Sequence, residues 1–469
     1  MRRRVDSFLR TPPLTLLAWL VRLFPLWWLL GVDQIIWVPG LLLCAACVVA
    51  QRESKLRWDP LFKLWLLYLV VQLASAAFIV EPQRYITFVR NLSTGVSATL
   101  LVFIFTNLRL DRASARKLLN GLLFSLGLGA VICVALVLLT LLPRALYTFN
   151  AFASFTSTET AELPYMGPLF TTPLGLLLPA SIRETSYGGL IAAHGLANTS
   201  SFADVQYARL RGFFMFSTLY AAALSVSIPM LFALWVATRK RIKFGLLAIY
   251  GALFFNFALT TARIALLSFA IGGVVCLLFN IRLPRLSQRV LLWGALILLV
   301  AGAALLALAP RQIQTQLQRF LVLRGAGSLN DRTLIYLATF AGVAERPLLG
   351  WGTERDVYRL PYPAGSHSGC FGALYMHGIF GLALFVMIGW TLWRRLAHAK
   401  PRGDPFLAAL AGLSLWSLVA FLVNSLTDNF ELDASTFMFA WLLFCVGLAA
   451  RDAVSKSAFV PVYLRNRGG

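Results

Sequence analysis

The sequence predicts an all-α, polytopic integral membrane protein of about twelve transmembrane helices. Three observations predict it. The 469 residues are 59% hydrophobic and only 13% charged, with a mean hydropathy of +0.75, too little polar surface for a soluble fold of this size. Apolar runs of about 20 residues, long enough to cross a hydrocarbon core, recur along the whole chain. Clusters of Lys and Arg fall between alternate runs, as the positive-inside rule requires.

Hydropathy places the spans at 13–31, 34–50, 60–79, 91–107, 118–142, 213–237, 244–260, 264–281, 290–309, 368–392, 405–426 and 434–450. The N-terminal "MRRRVDSFLRTPP" resembles a signal-peptide n-region. No small-residue cleavage site follows, so it reads as an uncleaved first helix. With an even count, "MRRR", "QRESKLR", "RLDRASARK", "RKRIK", "RLPRLSQR", "RRLAHAKPR" and the C-terminal tail share one side. That side is expected to be the cytoplasm, with both termini in it. Two long segments, 143–212 and 310–367, then face the outer side within one membrane domain. Loops of this length usually carry function. In the second, 330–344 reads as a helix capped by Asn330, with Leu334, Leu337 and Ala338 at helical spacing and Pro347 and Gly350 beyond its end.

The net charge of +23 and pI near 10.5 would suggest nucleic acid in a soluble protein. Here topology accounts for the charge, and no nucleic-acid partner is expected. Cys44, Cys47, Cys133, Cys276 and Cys445 lie in apolar runs and Cys370 near a boundary. Cys44 and Cys47 are spaced as C-x-x-C but lie inside an apolar run, and there is no disulfide framework and no Cys/His metal spacing. The cytoplasmic loops use both Lys and Arg, whereas the basic residues of the other side, from Arg84 to Arg359, are all arginine. Arginine is suited to planar, bidentate contact with phosphate, although an arginine-rich proteome would give part of the same bias.

Ionisable groups near apolar runs are costly and mark candidate sites. Arg263 in "LTTARIALLSFAIGG" and Arg211 in "YARLRGFFMFSTLY" sit at the outer mouths of spans. Each has the plainer reading of an interfacial arginine that snorkels. Together they suit a clamp on an anionic group. His367 lies where the second long loop re-enters the membrane, and an imidazole can take a proton near neutral pH. His377 falls ten residues deeper, where a structural hydrogen bond fits best, and Gly378 and Gly381 read as close-packing positions. His194 and His398 carry no supporting motif. P-loop, GxSxG, HExxH and Rossmann patterns are missing from the sequence. Arginines, one candidate base and no metal suit a substrate that brings its own leaving group, such as a lipid-linked sugar diphosphate. Trp351, Tyr358 and Tyr362 could stack on sugar faces, although aromatic residues are common at membrane interfaces in any case.

These residues resemble the O-antigen ligase and polymerase superfamily. "ERPLLGWG" (345–352) is similar to its E-x-P-hydrophobic-hydrophobic-G-x-G segment, and "HSGCFGALYMHGIFG" to its H-[NS]-x-aromatic pattern with a later glycine pair. "NDRTLIY" resembles the preceding arginine segment. "TTARIALL" resembles the family's S-R segment, with Ala262 where Ser is usual, and "RLRGFF" an upstream R-x-G segment. The strong match covers about 330–382, with anchors at 209–216 and 259–268. The resemblance implies a GT-C-like, metal-independent, inverting glycosyltransferase that needs no cofactor and takes a glycan from undecaprenyl diphosphate at the periplasmic face. His367 would handle the acceptor hydroxyl as the catalytic residue. Arg211, Arg263 and Arg332 would bind the diphosphate.

The family divides by acceptor. A polymerase passes the glycan to the next lipid-linked unit of an O-antigen or exopolysaccharide, sometimes with a chain-length regulator. A ligase passes it to lipid A-core. Two long outer segments favour a polymerase. Against it, the arginine–ten residues–glycine motifs typical of O-antigen polymerases are missing from those two segments, where Arg183 and Arg324 are followed at that spacing by His194 and Ile335. A protein O-oligosaccharyltransferase is a third relative. A flippase or exporter of the same glycan is the alternative of another class. It would place charges through a central cavity, whereas only Arg22 and Lys63 fall inside predicted spans.

Overall fold

A computed structural model describes residues 12–51, 56–145, 197–202, 205–210, 212–214, 217–238, 242–260, 262–280, 324–357, 363–397, 404–428 and 434–457. Their regular elements are helical apart from one antiparallel hairpin. Seven helices among them are long and apolar enough to cross a membrane, and four more are shorter. The seven coincide with predicted spans. The shorter four coincide with 13–31, 34–50, 244–260 and 264–281. The predicted span at 290–309 lies outside the described residues.

The first span is broken. Helix α1 (Pro13–Arg22) ends at Leu23 and α2 (Phe24–Leu29) follows. Pro25 explains the break, because proline lacks an N–H and disfavours helical geometry in the residue before it. Next come α3 (Trp37–Ala50), α4 (Pro60–Ser75) with a 3-10 turn to Phe78, α5 (Arg84–Asn107) and α6 (Arg112–Ala145). α5 begins seven residues earlier than the span predicted at 91–107. Arg84 and Arg90 lower the hydropathy there, but both find acidic partners and the helix continues through them.

Strands β1 (Ala197–Phe202) and β2 (Val205–Leu210) pair antiparallel, Ala197 opposite Leu210 and Phe202 opposite Val205. This hairpin lies in the first long segment and is the one strand pair among the described residues. It leads through Gly212 into α7 (Ser217–Ala237), followed by α8 (Lys243–Leu259) and α9 (Arg263–Asn280). The second long segment forms α10 (Arg324–Glu345). Three helices close the chain: α11 (Gly369–Ala397), α12 (Pro405–Asn424) and α13 (Ala434–Ser457).

Helix α7 packs against α12, and α12 against α9 and α13. These form the centre of the bundle. Hydrogen bonds join them where lipid offers no hydrophobic drive for association. Asn424 Nδ2 donates to Ser225 Oγ (3.0 Å) on α7 and to Ser268 Oγ (2.6 Å) on α9. Ser417 Oγ donates to the Val226 carbonyl at 2.6 Å.

The two ends of the bundle differ. At the Lys- and Arg-rich end, Asp59 caps α4 by accepting from Leu61 N (2.8 Å), and both its oxygens lie 2.9 Å from Arg395 Nη1. Asp404 caps α12 and accepts from Arg112 at 3.0 Å. The opposite end gathers the start of α5, the loop after α10, the start of α11 and the end of α12. The candidate site lies at that end.

Candidate functional site

The loop after α10 is built around a break in a neighbouring helix. Gly378 interrupts α11 with φ +64° and ψ −165°, a region open in practice only to glycine. Such a break leaves carbonyls and N–H groups without partners inside a helix, which is costly where water is excluded. The segment 346–352 supplies the partners. Trp351 N donates to the Tyr375 carbonyl (3.0 Å), and Gly352 N to the Met376 carbonyl (2.8 Å). Ile379 N donates to the Pro347 carbonyl at 2.8 Å.

Gly350, with φ +66°, completes the contact, since a Cβ there would lie 2.4 Å from the Tyr375 oxygen. The E-x-P…G-x-G segment and the glycine pair of α11 are therefore two halves of one backbone interlock. Gly378 and Gly381 were expected to let helices approach one another. Instead Gly378 bends its own helix and receives the loop, and a Cβ on Gly381 would lie 2.2 Å from the Cβ of His377.

His377 is buried at this break, with its Nε2 3.4 Å from Gln72 Nε2 and the Tyr68 ring edge-on at 5.5 Å. That agrees with the structural role expected of it. His367 is half-buried, two residues before α11 begins. Ser368 caps the helix by accepting from Phe371 N at 3.3 Å. Gly369 N donates to the Ser425 carbonyl (2.7 Å) and the Asp428 carbonyl (3.1 Å). α10 fixes the other side of the segment. Tyr336 Oη donates to the His367 carbonyl at 3.2 Å, and Gly365 N donates to Thr339 Oγ1 at 2.9 Å. The ring of Phe371 packs edge-on to Tyr336 and Phe340.

Arg332 lies one helical turn before Tyr336 on α10. Burial raises the Tyr336 phenol above its ordinary range, Arg332 pulls it back and Asp428 pushes it up. Arg332, Tyr336 and the His367 segment thus form one electrostatic neighbourhood. Tyr336 and Thr339 were missed in the sequence. The signal was present as hydrogen-bonding residues at 332, 336 and 339, one face of a helix.

The helix itself differs in detail from expectation. It begins at Arg324, so Asn330 lies inside it rather than at its cap. Leu334 and Leu337 are exposed, and over 332–345 Ile335 and Thr339 are the buried residues. The inward face is set by the contact with α11, not by the most apolar stripe.

Arg263 is the first residue of α9. Ser268, a turn and a half further on, is held by Asn424, and Ser425 holds Gly369. Arg263 and His367 therefore share the same end of α12. Arg211 lies outside the described residues, as do His194, Tyr358, Tyr362 and His398. Its neighbour Gly212 is described, with φ +53° against the Tyr220 ring.

Several other arginines of this end have structural partners. Arg84 pairs with Glu81 and Asp356. Arg346 donates to the Phe78 carbonyl at 2.8 Å. The guanidinium groups of Arg346 and Arg355 lie 3.9 and 4.0 Å from the centroid of the Trp351 ring. Trp351 is buried and its Nε1 donates to the Gly342 carbonyl at 2.9 Å. It was expected to stack on a sugar; it is occupied instead by two cations, each a favourable contact with the ring.

A buried carboxylate also went unnoticed. Glu354 accepts from Arg90 Nη2 (3.4 Å), Asn91 Nδ2 (3.3 Å) and Thr353 Oγ1 (3.2 Å), and so ties the loop to α5. Replacing Glu354 by Gln weakens acceptance from all three donors. The expected loss of stability is about 1–3 kcal/mol, read as a lower unfolding midpoint of the purified protein. An unchanged midpoint would mean that the pairing does not hold the loop.

A polytopic helical protein with a broken helix, an interlocked loop, and His367, Arg263 and Arg332 toward the same end of its bundle is the class that fold and site define. Residues 246–386 match the O-antigen ligase family. The match supports placement in the O-antigen ligase and polymerase superfamily, and it spans Arg263, Arg332, His367 and the whole interlock. No curated protein matches the chain.

Proposed function

We propose that the protein transfers a glycan from an undecaprenyl-diphosphate donor to an acceptor hydroxyl at the periplasmic face of the inner membrane, and that it polymerises repeat units of a surface polysaccharide. The observation that carries this reading is the family match over 246–386, which contains both the candidate base and two of the candidate diphosphate ligands. The twelve-span, GT-C-like architecture and the assignment of 143–212 and 310–367 to the periplasm belong to the same proposal.

In the proposed reaction the acceptor oxygen attacks the anomeric carbon of the donor from the face opposite the diphosphate. The new glycosidic C–O bond forms as the bond to the diphosphate oxygen breaks, and the anomeric configuration inverts. The His367 imidazole takes the proton of the acceptor hydroxyl. Undecaprenyl diphosphate leaves with the bonding electrons. Arg211, Arg263 and Arg332 neutralise the charge that develops on it. The Tyr336 and Thr339 hydrogen bonds to the 365–367 backbone support a fixed position for the imidazole, which this chemistry needs.

Two observations favour ligation to lipid A-core as a second reading: the matching family is described as O-antigen ligase, and the arginine–ten residues–glycine motifs are missing from the two long outer segments. Two long outer segments favour polymerisation. A surface-polysaccharide gel of a strain lacking the protein separates them. Core carrying one repeat unit is the result expected of a lost polymerase. Unchanged lipopolysaccharide with loss of a secreted polysaccharide assigns the polymerisation to that polymer. Bare core with accumulated lipid-linked polymer would assign ligation instead. A chain-length regulator is a partner only under the polymerase reading.

A further inference from the structure

Arg22 has no part in the site described above. It ends α1, nine residues after Pro13. That is roughly 14 Å along the helix axis, well into the thickness of a bilayer. Its side chain is exposed on the outer surface of the bundle. The guanidinium carbon lies 5.3 Å from the Trp19 ring centroid and 5.2 Å from that of Phe124. The backbone around it is fixed. A Cβ on Gly121 of α6 would lie 2.9 Å from the Ala18 carbonyl and 3.6 Å from Arg22 Cβ. Ser125 Oγ donates to the Val21 carbonyl at 2.5 Å.

α1 and α6 thereby enclose a groove of about 820 Å³ at the Lys- and Arg-rich end. Its cations run from Arg22 to Arg116, Lys117 and Arg112, and its walls include Trp19, Phe124 and Ile249. Among the described residues, none of those lining it is acidic. Asp404 pairs with Arg112 at the rim, while Lys117 Nζ lies 3.3 Å from Thr15 Oγ1.

A cation exposed within a membrane needs an anionic partner, and the groove's own lining offers none. The apolar walls and the column of cations together match an amphiphile whose head is anionic. Basic pockets of this kind between transmembrane helices bind acidic lipid head groups.

We propose that the α1–α6 groove binds an anionic glycerophospholipid of the leaflet at the basic end. Its phosphate rests on Arg22, Arg116 and Lys117, and an acyl chain runs along Trp19, Phe124 and Ile249. The site is separate from the transfer site, which lies at the other end of the bundle.

Native mass spectrometry of the purified full-length protein tests this, with phosphatidylglycerol, phosphatidylethanolamine and inorganic phosphate titrated separately. Phosphatidylglycerol is expected to bind in preference to phosphatidylethanolamine, with free phosphate not retained. The preference should fall about fivefold for each cation removed in Arg22→Gln and in Arg116→Gln. Lys243→Gln, which removes a cation outside the groove, should leave it unchanged. Unfolding of each variant without added lipid reports its folding separately. Equal binding of the two lipids would overturn the proposal. So would a preference that survives both groove substitutions in folded protein, retention of free phosphate alone, or a second copy of the chain in place of lipid.

Discussion

The His367→Ala variant is expected to reach the membrane at normal level and to lose glycan transfer by about 10²–10⁴-fold, the range for removing a positioned general base. Tyr336 holds the His367 carbonyl and Ser425 holds Gly369. Both contacts are made by backbone atoms of the segment, so alanine keeps them and the loop stays in place. The loss should therefore appear in turnover rather than in donor binding, since the arginines assigned to the diphosphate are untouched. Tyr336→Phe is the natural comparison. It frees the carbonyl but leaves the imidazole, so its effect should be smaller than that of His367→Ala. A His367→Ala strain with full glycan output would remove the histidine from the mechanism.

The second large effect concerns folding. Gly378→Ala puts a side chain at φ +64°, ψ −165°, where strain alone is about 1–3 kcal/mol. The new Cβ would also lie 2.1 Å from the Leu348 carbonyl oxygen, inside any allowed contact. Because the obstacle is backbone, relief requires the loop 346–352 to leave α11. That would strand the Tyr375 and Met376 carbonyls and the Ile379 N–H together, at about 1–3 kcal/mol each. The expected outcome is a protein that is poorly recovered, or one whose unfolding midpoint drops far more than for Gly245→Ala, where nothing lies within 4 Å of an added Cβ. Equal midpoints for the two variants would show that the interlock contributes little.

Much of this architecture could be read from the sequence, because hydropathy and Lys/Arg placement are local signals. The spans at 60–79, 213–237, 405–426 and 434–450 needed nothing more. The start of α5 was missed for the opposite reason. Arg84 and Arg90 look like loop residues until Asp356 and Glu354, more than 260 positions away, become their partners. The break at Gly378 was equally hidden. Ile379, Phe380 and Leu382 continue the apolar run, and a glycine in such a run usually means close packing. Only the docked loop shows that it is a bend.

The candidate site was legible to different degrees. His367 and Arg263 could be picked out as ionisable residues at apolar boundaries. Their common placement at the end of α12 could not, because it depends on Asn424 and Ser425. Trp351 was read as a sugar platform because an interfacial tryptophan is often one. Its neighbours Arg346 and Arg355, each within five positions of it, are what cover the ring.

The central claim is tested most directly by a transfer assay with the purified protein in proteoliposomes, using a defined undecaprenyl-diphosphate-linked glycan and a hydroxyl acceptor. The account predicts an elongated glycan with inverted anomeric configuration and one undecaprenyl diphosphate released per bond formed. It also predicts loss of both products in His367→Ala, with donor binding retained. Movement of intact donor across the bilayer without a new glycosidic bond, or undiminished transfer by His367→Ala, would contradict it.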